Sequence, residues 1–193
     1  MASIHAKLLP REWRDVRRVL DRFDIHNVKA TIFGGCLRDL MLGIAPKDID
    51  VMVSTYEFRI LDVFGPNSVT FAREYGADDS LDFGKILPDL FFRRGLGKIC
   101  FVHKYRVDWL AMPIDLICVD RDLTSSAIAA AGDFGICQIA TDGRDLFWTD
   151  AFAEDVANKK IILRQQEGID PEREEKRAVY FAQKFASIGF TRG

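Results

Sequence analysis

Apolar positions along the chain change their spacing several times, and each change marks an expected element. Pro10 can open a helix at its first turn, where a missing N–H costs nothing. Behind it Trp13, Val16, Leu20 and Phe23 recur at helical intervals, while Arg11, Arg14, Arg18 and Arg22 line another face. That arginine face is read first as a solvated helix surface and second as a contact for RNA phosphates. VKATIF (28–33) is a buried strand that meets Gly34-Gly35, and CLRDLML (36–42) is a short helix that Gly43 closes. A loop holding Pro46 leads to a second strand, DIDVMV (48–53). Ser54 and Glu57 then have capping-box spacing, which predicts a helix over about 55–63.

The rhythm breaks across 65–97, where glycines and prolines are frequent. The pattern predicts a strand near 68–72 and then a long irregular insertion carrying Asp78-Asp79 and the aromatic-basic run Phe91-Phe92-Arg93-Arg94. KICFVH (98–103) and PIDLICVD (113–120) are two further strands, and Asp142-Gly143 between apolar runs is a hairpin signal. A helix through AFAEDVANKK, the short run IIL (161–163) and a last helix over about 172–187 complete the chain. The expectation is one α/β (α+β) domain, a mixed sheet flanked by helices, over 1–165, with a helical extension over 166–193.

Length and charge narrow this picture. The 193 residues suit one domain, at roughly 100–200 residues per domain. Lys and Arg number 27 against 29 Asp and Glu, a net charge of −2, which argues against a nucleic-acid-coating domain and leaves a local basic patch open. Four cysteines (Cys36, Cys100, Cys118, Cys137) without CxxC spacing, and three scattered histidines, argue against a structural zinc site and predict buried free thiols. The first residues lack an apolar signal core and no run approaches the ~18 apolar residues of a membrane span, so no membrane partner and a cytoplasmic setting are expected.

Candidate chemistry concentrates in Gly34-Gly35-Cys36-Leu37-Arg38-Asp39 and Lys47-Asp48-Ile49-Asp50-Val51. Two glycines between a strand and a helix let a polyphosphate approach the backbone, where a helix start offers N–H groups. Asp48 and Asp50, two apart on a strand, share one face while Ile49 and Val51 point to the core. Paired carboxylates of this kind suit Mg²⁺, which keeps several waters and bridges to phosphates. Two like charges on one strand face are costly unless a cation neutralises them. Asp115 sits inside an apolar strand, where a charge needs a reason, with Asp108, Asp120 and Asp122 as rivals nearby.

GGCLRDLMLG (34–43) and KDIDVMV (47–53) resemble the head (catalytic) domain of the class II tRNA CCA-adding enzymes and bacterial poly(A) polymerases, in the polymerase-β-like nucleotidyltransferase superfamily. The resemblance continues, in family order, through IDLICVD (114–120), DFGICQIATDG (133–143), TDAFAEDVANKKIIL (149–163) and RAVYFAQKF (177–185). It implies transfer of a nucleoside monophosphate from an NTP to a hydroxyl, an RNA 3′ end (tRNA or another RNA) first among acceptors, through two metal ions, Mg²⁺ with Mn²⁺ as a substitute. It makes Asp48 and Asp50 the metal ligands and Asp115 a third catalytic acid. Gly34, Gly35, Arg38, Asp133, Arg173 and Arg177 become nucleotide-binding candidates.

Departures from the pattern stand beside it. Ala131-Gly132 precede Asp133-Phe134 where the family has two arginines, and Ile136-Cys137-Gln138 replaces a segment that often holds Asn. The base-selecting motif before Arg177 aligns either on Asp170, Pro171 and Glu174 or, with a one-residue slip, on Arg173. These departures keep two other readings open: a transferase acting on a protein or small molecule, and a nucleotide- or partner-binding module without turnover. The apolar stripe Val179, Phe181, Phe185 and Ile188 on the last helix must pack on the head or form a homodimer contact.

Overall fold

The computed structural model describes residues 3–11, 13–54, 59–74, 97–164 and 171–193. Eight strands form one sheet: β1 (Ile4–Leu8), β2 (Ala30–Phe33), β3 (Ile49–Val53), β4 (Val69–Glu74), β5 (Ile99–Val107), β6 (Ile114–Val119), β7 (Ile139–Thr141) and β8 (Asp145–Thr149). Their spatial order is β1-β8-β7-β2-β3-β6-β5-β4. Only β3 and β6 run parallel, and every other pairing in this sheet is antiparallel. The helices are α1 (Arg14–Ile25), α2 (Gly35–Met41), α3 (Ile60–Phe64), α4 (Ser125–Ala130), α5 (Asp150–Ala157) and α6 (Pro171–Phe185). Two short strands, β9 (Lys160–Ile161) and β10 (Thr191–Arg192), pair in parallel beside the main sheet.

Period-2 alternation divides the central strands between two cores. Ile32, Ile49, Val51, Ile114 and Leu116 face Val16, Val19, Leu20 and Phe23 of α1, the stripe that the spacing predicted, with Phe64 of α3 edge-on to Phe23 at 5.4 Å. Met52, Val102, Ile117 and Ala140 point to the other face, where Ile128 and Ala129 of α4 cover them. A third cluster, Phe134, Ile136, Ile161, Phe181, Phe185 and Phe190, fastens α6 to the loop before β7 and to β9. Most of the stripe on α6 is therefore covered within the chain, and Val179 and Tyr180 remain exposed.

Several elements differ from the sequence-based expectation. The chain opens with β1, an edge strand exposed along its whole length, which has no buried face to reveal as a pattern. Leu9 is buried and its N–H donates to the carbonyl of Arg144, so the chain leaves the sheet only at Pro10 and α1 begins at Arg14, not at the proline. β5 continues to Val107, past the expected end at 103, because it pairs with both β6 and β4. α4 was not anticipated; the Thr124 hydroxyl caps it by accepting from the Ala127 N–H. The described part of α3 starts at Ile60 with Arg59 at its N-cap, and the start expected at 55 lies outside the described residues. So do Asp78-Asp79 and Phe91–Arg94.

The four cysteines are not uniformly buried. Cys36 and Cys118 are, Cys137 is half-buried, and Cys100 is exposed. Cys100 falls where the β5–β6 register shifts between Ile99 and Phe101, and such a bulge turns one side chain out of the alternation. Arg11, ahead of α1, and Arg14 and Arg18 on it are exposed, with Arg18 stacked 3.8 Å over Trp109, while Arg22 is half-buried. Among the described residues no helix is long and apolar enough to cross a membrane.

Phe185 is fully buried where α6 meets the rest of the chain. Phe185→Ala should cost about 3–5 kcal/mol in urea denaturation, through lost transfer energy and the cavity left behind. A change below about 1 kcal/mol would show that α6 is not docked as described.

Candidate active site

β2 ends in Gly34, whose φ of +67° is a conformation that side chains rarely adopt. The Gly34 N–H donates to the Ile139 carbonyl at 2.8 Å, so this amide is taken by the sheet. A Cβ at Gly34 would meet nothing within 4 Å. The glycine is therefore required by backbone conformation, and the space beside it stays open. α2 then carries Cys36 and Leu37 into the main core.

Three strands set the acidic group. Asp50 pairs across β3–β6 with Asp115, and Asp115 pairs across β6–β5 with Lys104, which puts all three residues in one row across the sheet. Asp48 precedes β3. Lys104 Nζ lies 2.9 Å from Asp115 Oδ2 and 3.6 Å from Asp48 Oδ2, so one ammonium reaches both carboxylates. Burial, then the charges of Asp48 and Asp115, push the Asp50 carboxyl up to about 8, against the opposing pull of Lys104 and Arg38. Among the described residues no three His, Cys, Asp or Glu side chains form a ready-made metal cage. The donor set still fits Mg²⁺, which takes one or two carboxylates and completes its shell with water and phosphate oxygens.

A second group lies against α6. Arg177 Nη1 donates to Asp133 Oδ2 at 2.5 Å and to Glu174 Oε2 at 2.8 Å, and Arg173 Nη1 donates to Glu174 Oε1 at 3.1 Å. Burial works against the Arg177 charge, but Asp133 and Glu174 outweigh it and hold the guanidinium above its ordinary pKa. Arg38 is only 3% exposed. Its Nε donates to Asp39 Oδ1 at 2.9 Å and its Nη1 to Cys137 Sγ at 3.2 Å, and its guanidinium lies 4.7 Å and 4.8 Å from the rings of Phe181 and Phe185. Lys184 Nζ closes the arrangement on Asp39 Oδ2 at 2.6 Å.

The nine site residues expected from sequence thus fall into two sets joined by α2. Asp48, Asp50 and Asp115 come together on one sheet face. Asp133, Arg173 and Arg177 meet at Glu174 and Phe134, and Arg38 is packed between α2 and α6 beside them. Gly34 and Gly35 form the turn that starts α2. Sequence reasoning missed Lys104 and Lys184, while Glu174, named from sequence as one alignment of the base-selecting motif, is buried. Lys104 lay one residue beyond the expected strand end, although Val102 and Lys104 continue the same alternation.

A glycine turn into a short helix is thus followed by a strand whose carboxylate row continues onto a parallel neighbour. No family model matches the chain. Over 126 residues, 65% of this chain, it is 31% identical to the CCA-adding enzyme of Limosilactobacillus fermentum, of which it covers 31%. Over 187 residues, 95% of this chain, it is 26% identical to the CCA-adding enzyme of Lactiplantibacillus plantarum, of which it covers 42%. The chain spans less than half the length of these curated relatives. Thermotoga maritima CCA-adding enzyme, solved in complex with tRNA, superposes on the whole chain with a TM-score of 0.62 at 18% identity, over 43% of its own length. The resemblance to the head domain of the CCA-adding enzymes and poly(A) polymerases is borne out in sequence by these relatives and in fold by that structure.

An acid whose pKa is raised by folding, here from 3.8 to about 8 for Asp50, holds its proton more tightly in the folded state. Its contribution is fully present below the unfolded value and is lost as pH rises through the folded one. In metal-free buffer the wild type should therefore fall behind Asp50→Asn between about pH 4 and 8, by at most about 1.4 kcal/mol per pH unit. Urea denaturation in EDTA across that range checks it. A gap independent of pH would mean that Asp50 ionises as an ordinary surface acid.

Proposed function

We propose that the chain is a divalent-metal-dependent nucleotidyltransferase that joins a nucleoside monophosphate from an NTP to the 3′-hydroxyl of an RNA. The observation that carries this reading is the convergence of Asp48, Asp50 and Asp115 on one face, across the parallel β3–β6 pair. Asp48 and Asp50 would hold the metal, Mg²⁺ or Mn²⁺ by donor chemistry. When bound, the ion neutralises phosphate charge and lowers the pKa of a nearby hydroxyl.

The residues then divide the work. Asp115 accepts the proton of the attacking hydroxyl; the bond from that oxygen to the α-phosphorus forms as the bond to pyrophosphate breaks. Gly34 leaves room for the triphosphate beside the open turn, and Gly35 follows it with the Arg38 guanidinium 3.5 Å from where a Cβ would stand. Arg177, held by Asp133 and Glu174, and Arg173 beside it present guanidinium groups to the nucleotide from α6. Arg38 supports this surface from below, since Asp39, Cys137 and two phenylalanines enclose it. In this reading the head, 1–165, and the extension, 166–193, work as one unit, because α6 supplies half of the nucleotide surface. The tRNA held by the Thermotoga maritima relative supports an RNA acceptor, and a reaction on NTP and RNA is in keeping with a cytoplasmic setting. Val179 and Tyr180 are the exposed large apolar side chains of α6 that would be open to a homodimer contact.

Purified protein with Mg²⁺, each labelled NTP in turn, total tRNA and a generic RNA oligonucleotide should give labelled RNA on a denaturing gel. Asp48→Ala or Asp50→Ala should reduce the label at least about a hundredfold while circular dichroism stays unchanged, as expected when a charge-stabilising group is removed. Full activity in either variant would overturn the assignment. Label on protein or small molecules but not on RNA would favour the other acceptors. NTP binding with no product, even with Mn²⁺, would favour the binding module that the missing arginine pair at Ala131-Gly132 suggests.

A further inference from the structure

Lys104 faces the acidic row of the sheet from β5. Register places it directly opposite Asp115, one strand beyond Asp50. Strands about 4.8 Å apart put the ammonium within the same field as all three carboxylates. Its side chain is 21% exposed, against 3% for Asp115 and 30% for Asp48, so the cation bridges a buried acid and an open one. A cross-strand pair would satisfy one partner. Here one Nζ serves two, at 2.9 Å and 3.6 Å.

Resting on the reading of Asp48 and Asp50 as metal ligands, we propose that Lys104 is a tethered counter-cation that competes with divalent metal for the Asp48–Asp115 side of the site. On the Asp48–Asp115 side the Lys104 ammonium already supplies one unit of the positive charge that a divalent ion would bring. The free protein therefore takes a divalent ion weakly, because binding must displace or crowd a charge already paired to its ligands. The four-carbon stem lets the ammonium swing away without moving the strand. Lys104 is thus a positioning residue: it keeps mutually repelling acids in register while the cation is absent and sets how readily a cation enters.

The test is Mn²⁺ binding to the full chain without nucleotide, followed by calorimetry and by the loss of the free-ion electron paramagnetic resonance signal at low ionic strength. Lys104→Met and Lys104→Gln should each bind Mn²⁺ about tenfold tighter than wild type, the order expected from removing a unit charge a few ångströms from the ion. Lys104→Arg, which keeps the charge, should return affinity to the wild-type level. Adding Asp50→Asn to Lys104→Met should remove the gain. Equal or weaker affinity in the two neutral variants, with thermal melts showing them folded, overturns the proposal. If at the same time Asp50→Asn alone weakens Mn²⁺ binding, the metal-ligand reading stands without it. Affinity unchanged in every variant, Asp50→Asn included, overturns both.

Discussion

The parallel contact between β3 and β6 is the constraint on which the rest depends. All other pairings in the sheet are antiparallel, and this one aligns Asp50 with Asp115 instead of offsetting them. A one-residue slip would send Asp115 to the α1 side and expose Ile114 and Leu116 to the site. The apolar residues between the acids fix the register, because Ile49, Val51, Ile114 and Leu116 can be buried together only in this alignment. The free energy that holds two repelling carboxylates side by side thus comes from the opposite face of the same strands.

The second set of charges is stabilised in another way. Arg38, Asp39 and Lys184 form a chain of alternating sign, and Arg38 is further enclosed by Phe181 and Phe185. Removing one member would strand the others in a low-dielectric setting, which is costlier than the pair is worth. Asp133, Glu174 and Arg177 repeat the device about two turns back along α6 from Lys184. Helix, glycine turn and the Phe134 loop are therefore one electrostatic unit, although the sequence separates them widely.

What the sequence made legible follows from the range of the interactions involved. Asp48 and Asp50 could be placed on one face because alternation is local, and Asp115 stood out as a charge within an apolar run. The stripe of α1 and the hairpin at Asp142-Gly143 were equally local signals. Lys104 was not visible, since its partner lies on another strand and only the register brings them together. β1 escaped because neither of its faces is buried. The enclosure of Arg38 depended on aromatic residues of α6 that no spacing rule connects to the glycine turn.

That last dependence also has a bearing on the order in which the molecule assembles. Asp39 and its partner Lys184 are 145 positions apart, and the rings that enclose Arg38 come from the same late helix. As the chain emerges from the ribosome, the first glycine-turn helix is made early but cannot bury its arginine until almost all the residues described here have followed. Contacts of such sequence separation slow folding, because the loop entropy must be lost before the contact returns any energy. The nucleotide surface is accordingly among the last parts of the fold to form, and a chain arrested before α6 would leave the Arg38–Asp39 pair uncovered beside an exposed Phe134.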